Sequence, residues 1–183
     1  MTNGEVWLIV GAQGAGKSTT ADLLARTFER GIHLRGGQFY RWAVRGWRHI
    51  GERPDDPIAR EHLLLRYRLA AMAADEYCRA GFTTVVQDNI FGPDIVDWLN
   101  LVQARPRHLV VLRPSVSTVR ERDRIRRAES AKLAYREAES TVDDLDTALG
   151  RTPRIGLWLD TSEQTPDESV AEILARHSES LVR

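Results

Sequence analysis

The sequence predicts an α/β fold in which a mainly parallel sheet is covered by helices on both faces. Three observations carry this reading. Short apolar runs alternate with longer stretches of helical spacing along the chain. The first run is apolar at every position, as expected of a strand buried on both faces. No internal repeat, low-complexity tract or long linker divides the 183 residues, so one domain is expected over 1–183. Strands that alternate with helices require right-handed crossovers, and therefore parallel neighbours.

The elements follow in order. Residues 6–10 form the first strand, bounded by turn residues. Residues 18–30 have helical spacing, with Leu23, Leu24 and Phe28 on one side. Residues 31–34 are a short second strand. Residues 57–80 read as a long helix whose apolar face carries Leu64, Leu65, Leu69, Met72 and Ala73, ended by Gly81. The β-branched stretch 83–87 is a strand, 93–102 a helix, and 108–112 and 156–159 two further strands. Residues 166–177 close the chain as a helix, with Thr165 as its cap and Pro166 in its first turn. In sheets of this kind ligands bind beyond the carboxyl ends of the strands. Chemistry is therefore expected just after residues 10, 34, 87, 112 and 159.

Composition narrows the partners. The 26 basic and 26 acidic side chains cancel, which argues against a general polyanion binder and weighs against nucleic acid. Only two of the basic residues are lysines, Lys17 and Lys132. The single cysteine, Cys78, rules out an intramolecular disulfide and a cysteine zinc cluster; helix packing is its expected role. No apolar run approaches the ~20 residues of a membrane span, and the first residues lack a signal-peptide pattern. A cytoplasmic protein without a membrane partner is the default expectation. Composition is silent on the oligomeric state.

The strongest motif follows the first strand. Gly11, Ala12, Gln13, Gly14, Ala15, Gly16, Lys17 and Ser18 match G-x-x-x-x-G-K-[ST], and Thr19 extends it. The strand must turn sharply and open a helix while its amides curl around an anion. Glycines permit that path, and the positive end of the new helix faces the phosphates. Lys17 suits the β- and γ-phosphate oxygens, and the Ser18 hydroxyl suits Mg²⁺. The cofactors expected are ATP and Mg²⁺. Asp88 closes the strand 83–87 and is placed to hold the metal or to take a proton from an acceptor hydroxyl. A helix-capping role competes with both. Residues 120–127 are arginine-rich. Arg120, Arg124 and Arg127 fall at i, i+4 and i+7, one helix face able to neutralise charge on a transferring phosphoryl group. The competing reading is a solvated helix laced with pairs to Glu121, Asp123 and Glu129.

These motifs, with Asp160-Thr161-Ser162 and the following Thr165-Pro166, resemble the chloramphenicol phosphotransferase-like family of small P-loop kinases, among the AAA-type and zeta-toxin-like P-loop phosphotransferases. The resemblance spans nearly the whole chain. It implies a P-loop NTPase three-layer sandwich with a five-stranded mainly parallel sheet and a helical arginine-rich lid at approximately 115–150. It also implies ATP-dependent phosphorylation of a small-molecule hydroxyl on an antibiotic, sugar or nucleoside-like acceptor. By similarity, Arg120 and Asp160–Ser162 lie near the adenine. One position departs from the pattern. Such kinases commonly carry an acidic residue just after the second strand, where this chain has Gly37. Three explanations stand. Asp88 is the base; the chain is an inactive or engineered form; or a loose transition state needs positioning more than a base.

The acceptor side is expected between the second strand and the long helix. Arg35, Gly37, Phe39, Tyr40 and Trp42 lie there, joined by Arg66 in the long helix and by Asn89 after Asp88. Arginines interleaved with aromatics suit a sugar, a ring compound or an anionic acceptor, and equally a short helix with solvated arginines. The five histidines show no ligand spacing and are read as structural, with His49 and His62 as weak candidates for substrate contact. Two other classes remain in view: a nucleotide-dependent switch or nucleic-acid-binding NTPase, and a nucleic-acid end kinase.

Overall fold

A computed structural model describes residues 4–51, 54–130 and 142–183, with the side chains of 126–130 and 142–145 left out. The elements run β1 (Val6–Gly11), α1 (Lys17–Arg26), β2 (Gly31–Arg35), α2 (Gln38–Arg41), α3 (Pro57–Arg79), β3 (Thr83–Gln87), α4 (Asp94–Leu101), β4 (Arg107–Leu112), α5 (Val116–Ser130), α6 (Val142–Gly150), β5 (Leu157–Leu159), α7 (Pro166–Ala175), α8 (His177–Ser180) and β6 (Leu181–Val182). Five parallel strands stand in the order β2-β3-β1-β4-β5, with β1 at the centre.

Side-chain alternation along each strand sorts the core into two layers. Val6, Leu8 and Val10 of β1 face α3 and α4, packing with Val86, Val111, Ala70, Ala74, Ile95 and Trp98. Trp7 and Ile9 face α1 and α7, packing with Val85, Val110, Leu24 and Ile173. No residue of β1 is exposed, which is why its sequence is continuously apolar.

The helix ends follow local chemistry. The Asp56 carboxylate accepts from the Ile58 amide at 2.9 Å and Pro57 opens α3. Gly81, at φ +82°, lets the chain leave α3 for β3. Thr165 and Glu168 form a reciprocal capping box at α7. The first helix stops at Arg26, four residues short of the periodicity. The Thr27 hydroxyl donates to the Leu24 carbonyl at 2.7 Å, satisfying a group that would otherwise be left at the helix end. Arg30 lies over the Phe82 ring, and its carbonyl accepts from the Thr83 amide.

One strand is absent from the sequence pattern. β6 pairs antiparallel with the start of β4, Arg107 opposite Val182 and His108 opposite Leu181. Two residues are too few for a periodicity to show. Among the described residues, no helix is long and apolar enough to cross a membrane.

The turn from α4 into β4 hangs on one buried carboxylate. Asp75 of α3 accepts from the amides of Gln103 at 3.0 Å and Ala104 at 2.9 Å. Asp75→Ala would leave both donors without their partner and should lower unfolding free energy by about 2 kcal/mol in urea denaturation. A loss below about 0.5 kcal/mol would show that water replaces the carboxylate there.

Candidate active site

The phosphate-binding motif forms the turn from β1 into α1. Gly16 sits at the N-cap with φ 94° and ψ 3°, a left-handed conformation that a side chain disfavours. The Lys17 side chain curls back, and its ammonium donates to the carbonyls of Gly11 at 2.9 Å and Ala12 at 2.8 Å. Ser18 and Thr19 are exposed at the mouth of the turn. The Ser18 hydroxyl donates to the side-chain oxygen of Gln87, at the end of β3.

Asp88 follows Gln87 and, by strand alternation, turns to the opposite face of the sheet. It is 5% exposed. Its Oδ1 accepts from Arg66 Nη2 at 2.9 Å and from the Asn89 amide at 2.7 Å. Its Oδ2 is buried without a hydrogen-bond partner. Burial pushes the Asp88 carboxyl above the usual aspartate range, against the opposing pull of Arg66, the Asn89 amide and Lys17. Asp88 caps no helix, since α4 begins only at Asp94. Asn89 contributes its carbonyl, which accepts from the Tyr67 hydroxyl at 2.9 Å.

Gly36 closes this corner. A Cβ at Gly36 would fall 2.1 Å from Asp88 Oδ2. The position therefore excludes any side chain, a requirement that a Gly-Gly pair after a strand hints at without revealing its cause. Gly37 is different. Its φ of −62° is ordinary, and the nearest atom to a Cβ there is a Tyr40 ring carbon at 3.6 Å. An aspartate would fit at 37, so the fold does not dictate the glycine.

The acceptor stretch forms an aromatic apron. Phe39 meets the exposed Trp42 edge-on at 5.2 Å, Tyr40 meets His49 edge-on at 4.5 Å, and Trp47 lies over His62 at 4.9 Å. The Arg48 amide donates to His62 Nδ1 at 3.0 Å, tying the apron to α3. Arg35 is exposed at the end of β2.

The base of α5 completes the site. Val119 packs over the phosphate turn, 3.0 Å from where a Cβ on Gly14 would lie. Arg120 is next along the helix and exposed. Arg124 pairs with Glu121 on the outer face of the same helix at 2.6 Å, away from the turn. The Arg127 side chain lies outside the described residues. Arg122, which lies off the face of Arg120, Arg124 and Arg127, donates to the Thr161 carbonyl at 2.7 Å. Asp160 Oδ1 accepts from the Ser162 amide at 2.9 Å and from its hydroxyl. The Ser162 hydroxyl in turn accepts from the Ser115 amide at 2.8 Å. The loop after β5 is thus bonded to the start of α5. Beside it opens a cleft of about 490 Å³ lined by Arg113, Ser115, Asp146, Arg154, Trp158 and Asp160.

The two neighbouring glycines separate close approach from mere flexibility. Gly36→Ala should displace Asp88, lower stability by about 1–3 kcal/mol and reduce any nucleotide turnover. Gly37→Ala should stay within about 0.5 kcal/mol of the parent. Thermal melts of the two variants give the comparison, and equal melting points would refute the packing argument.

The comparisons agree with this arrangement. The family described as AAA domain matches residues 6–151. No curated protein matches by sequence. Among solved structures, an unliganded sugar kinase from Janibacter sp. HTCC2649 is 17% identical, with a TM-score of 0.67 over 97% of this chain and 96% of that one. The Mycobacterium tuberculosis APS kinase in complex with AMPPNP and APS is 16% identical, with a TM-score of 0.66 over 96% and 98%. A gluconokinase from Sinorhizobium meliloti 1021 is 17% identical, with a TM-score of 0.58 over 95% and 91%. The chain belongs to the AAA domain family, and its fold is that of the small P-loop kinases.

Proposed function

We propose that this protein is an ATP- and Mg²⁺-dependent phosphotransferase that moves the γ-phosphate to a hydroxyl of a small molecule. The observation that carries the proposal is the buried Asp88 carboxylate. One oxygen is fixed by Arg66; the other is unpartnered at the corner between the phosphate turn and the acceptor apron. Arg66 and the Asn89 amide offset part of the cost of burying this charge, and a buried carboxylate oxygen left without a partner beside a cleft is a feature that clusters at functional sites.

The residues divide the work. The amides of 11–19 and the N-terminus of α1 hold the phosphates. Lys17 exchanges its loop carbonyls for the β- and γ-phosphate oxygens. Ser18, in exchange for Gln87, would hold Mg²⁺, and the Asp88 carboxylate at the end of β3 is the candidate second oxygen donor. The metal when bound would neutralise charge on the phosphate oxygens. Asp88 Oδ2 also lies where an acceptor hydroxyl entering over Gly36 and Gly37 could be oriented and relieved of its proton. Arg120 and the loop Asp160–Ser162 border the base. The aromatic apron with Arg35 and Arg41 recognises a ring-bearing or anionic acceptor. Sugar kinases, gluconokinases and APS kinases among the structural neighbours make an alcohol acceptor the simplest case.

A screen of hydroxyl compounds for ATP-dependent phosphate transfer, read by mass, tests the reading. Lys17→Ala should lower turnover at least roughly a hundredfold while the circular dichroism melt is kept. Unimpaired turnover would sink the proposal. ADP release that no hydroxyl compound accelerates would favour a nucleotide-dependent switch.

The pH profile tests Asp88 separately. The reactive form is the carboxylate, so kcat/KM should fall on the acid side, with a midpoint above the ordinary aspartate value of about 3.9. Arg66 pulls that midpoint down. Arg66→Met should therefore move the acid limb to higher pH. A limb that stays in place or moves down would show that Asp88 is not the titrating group.

A further inference from the structure

At the opposite end of the sheet, three side chains with no sequence spacing in common converge. Glu5 precedes β1, His108 is the second residue of β4, and His177 opens α8. One donor atom from each lies within 4.8 Å of the others. His108 Nε2 is 3.1 Å from Glu5 Oε2, and His177 Nε2 is 3.9 Å from the same oxygen. His108 is fully buried, while half of His177 is open to solvent.

Proton bookkeeping makes this group unusual. The Ser180 hydroxyl has one proton, and it donates that proton to the His177 carbonyl at 2.7 Å. At 2.9 Å from His108 Nδ1, the same hydroxyl can therefore only accept. Nδ1 must carry a proton. In the neutral ring, that leaves Nε2 a lone pair, pointed at a carboxylate oxygen. A buried lone pair facing a carboxylate is satisfied either by a second ring proton, giving an ion pair, or by a bound metal cation. Trp7 stacks on the His108 ring at 4.0 Å and 12°, fixing its plane. A histidine whose outer nitrogen is anchored and whose inner nitrogen faces a carboxylate and a second histidine has the arrangement of an oriented metal ligand.

We propose that Glu5, His108 and His177 form a binding site for a zinc-like divalent transition metal. Two imidazoles and one carboxylate match the ligand preference of Zn²⁺ and not that of Mg²⁺, which takes oxygen donors. Tetrahedral zinc holds its ligands about 3.3 Å apart, close to the 3.1 Å separation of His108 from Glu5. Rotation of the half-exposed His177 ring supplies the third ligand. The ion would staple α8 and β6 to the foot of β1 and β4. β1 separates this site from the phosphate turn by its full length, roughly 20 Å. The role is therefore structural and independent of the kinase reading.

The test uses the full-length protein, treated with chelator and then dialysed at pH 7.5. Calorimetric titration with ZnCl₂ should show one ion per chain, and a stoichiometric amount should raise Tm where MgCl₂ does not. His177→Ala and Glu5→Gln should each weaken zinc binding at least tenfold. His177 is exposed enough for its variant to fold. Absence of one-to-one zinc binding would overturn the site, as would binding of unchanged strength in both variants. Imidazole nitrogen NMR gives a third readout. Added zinc should shift the Nε2 resonance of His108 and leave Nδ1 protonated. A ring protonated at both nitrogens in the presence of zinc would show an ordinary histidine–glutamate ion pair instead.

Discussion

The register of β3 against the central strand is the constraint on which the rest of the site depends. Ile9 stands opposite Gln87, and the Asp88 amide donates to the Ile9 carbonyl at 3.3 Å. That pairing brings the end of β3 level with the start of the phosphate turn. Alternation then divides two consecutive polar residues between the faces of the sheet. Gln87 reaches Ser18 on the α1 side; Asp88 reaches Arg66 on the α3 side. A slip of one residue would exchange them and bury the carboxylate against α1. The slip is prevented by Val85 and Val86, fully buried in opposite layers of the core. Site geometry is here a by-product of hydrophobic packing that never touches a ligand.

This dependence explains what could be read from the sequence. The phosphate turn is local, so its seven-residue spacing and the strand before it were enough to place it. The five parallel strands and the extent of α3 were equally legible from apolar periodicity, but the buried face of α3 was not: Ala70, Ala71, Ala74 and Cys78 lie inward, while Met72, expected on the apolar face, is 64% exposed. Asp88 was legible as a carboxylate at a strand end, but its role was not, since capping, metal binding and proton transfer begin from the same residue. The need for glycine at 36 was invisible, because it comes from a side chain fifty-two residues away. The spacing of Arg120, Arg124 and Arg127 defines a helical face, yet spacing does not say which way a helix is turned. The packing of Val119 over Gly14 sets that rotation, and it sends Arg122 to the β5–α7 loop and Arg124 outward to Glu121. The histidines carried no signal for the same reason. His108 and His177 meet only because β6 folds back along β4.

The two ends of the sheet also differ in how charge is held. At the carboxyl end the Lys17 and Ser18 side chains are bonded to neutral groups, while Asp88 is held in a buried ion pair with Arg66. The Lys17 ammonium rests on carbonyls of its own loop, and Ser18 rests on the half-buried amide of Gln87. Exchanging such a neutral carbonyl for a phosphate oxygen replaces an ordinary hydrogen bond by a charge-assisted one, which favours the ligand. At the amino end the partners are fixed: a fully buried imidazole lies between a stacked indole and an oriented hydroxyl. The His108 ring cannot turn without unpacking Trp7, a core residue of the α1 layer. The overall charge balance of the chain conceals this asymmetry.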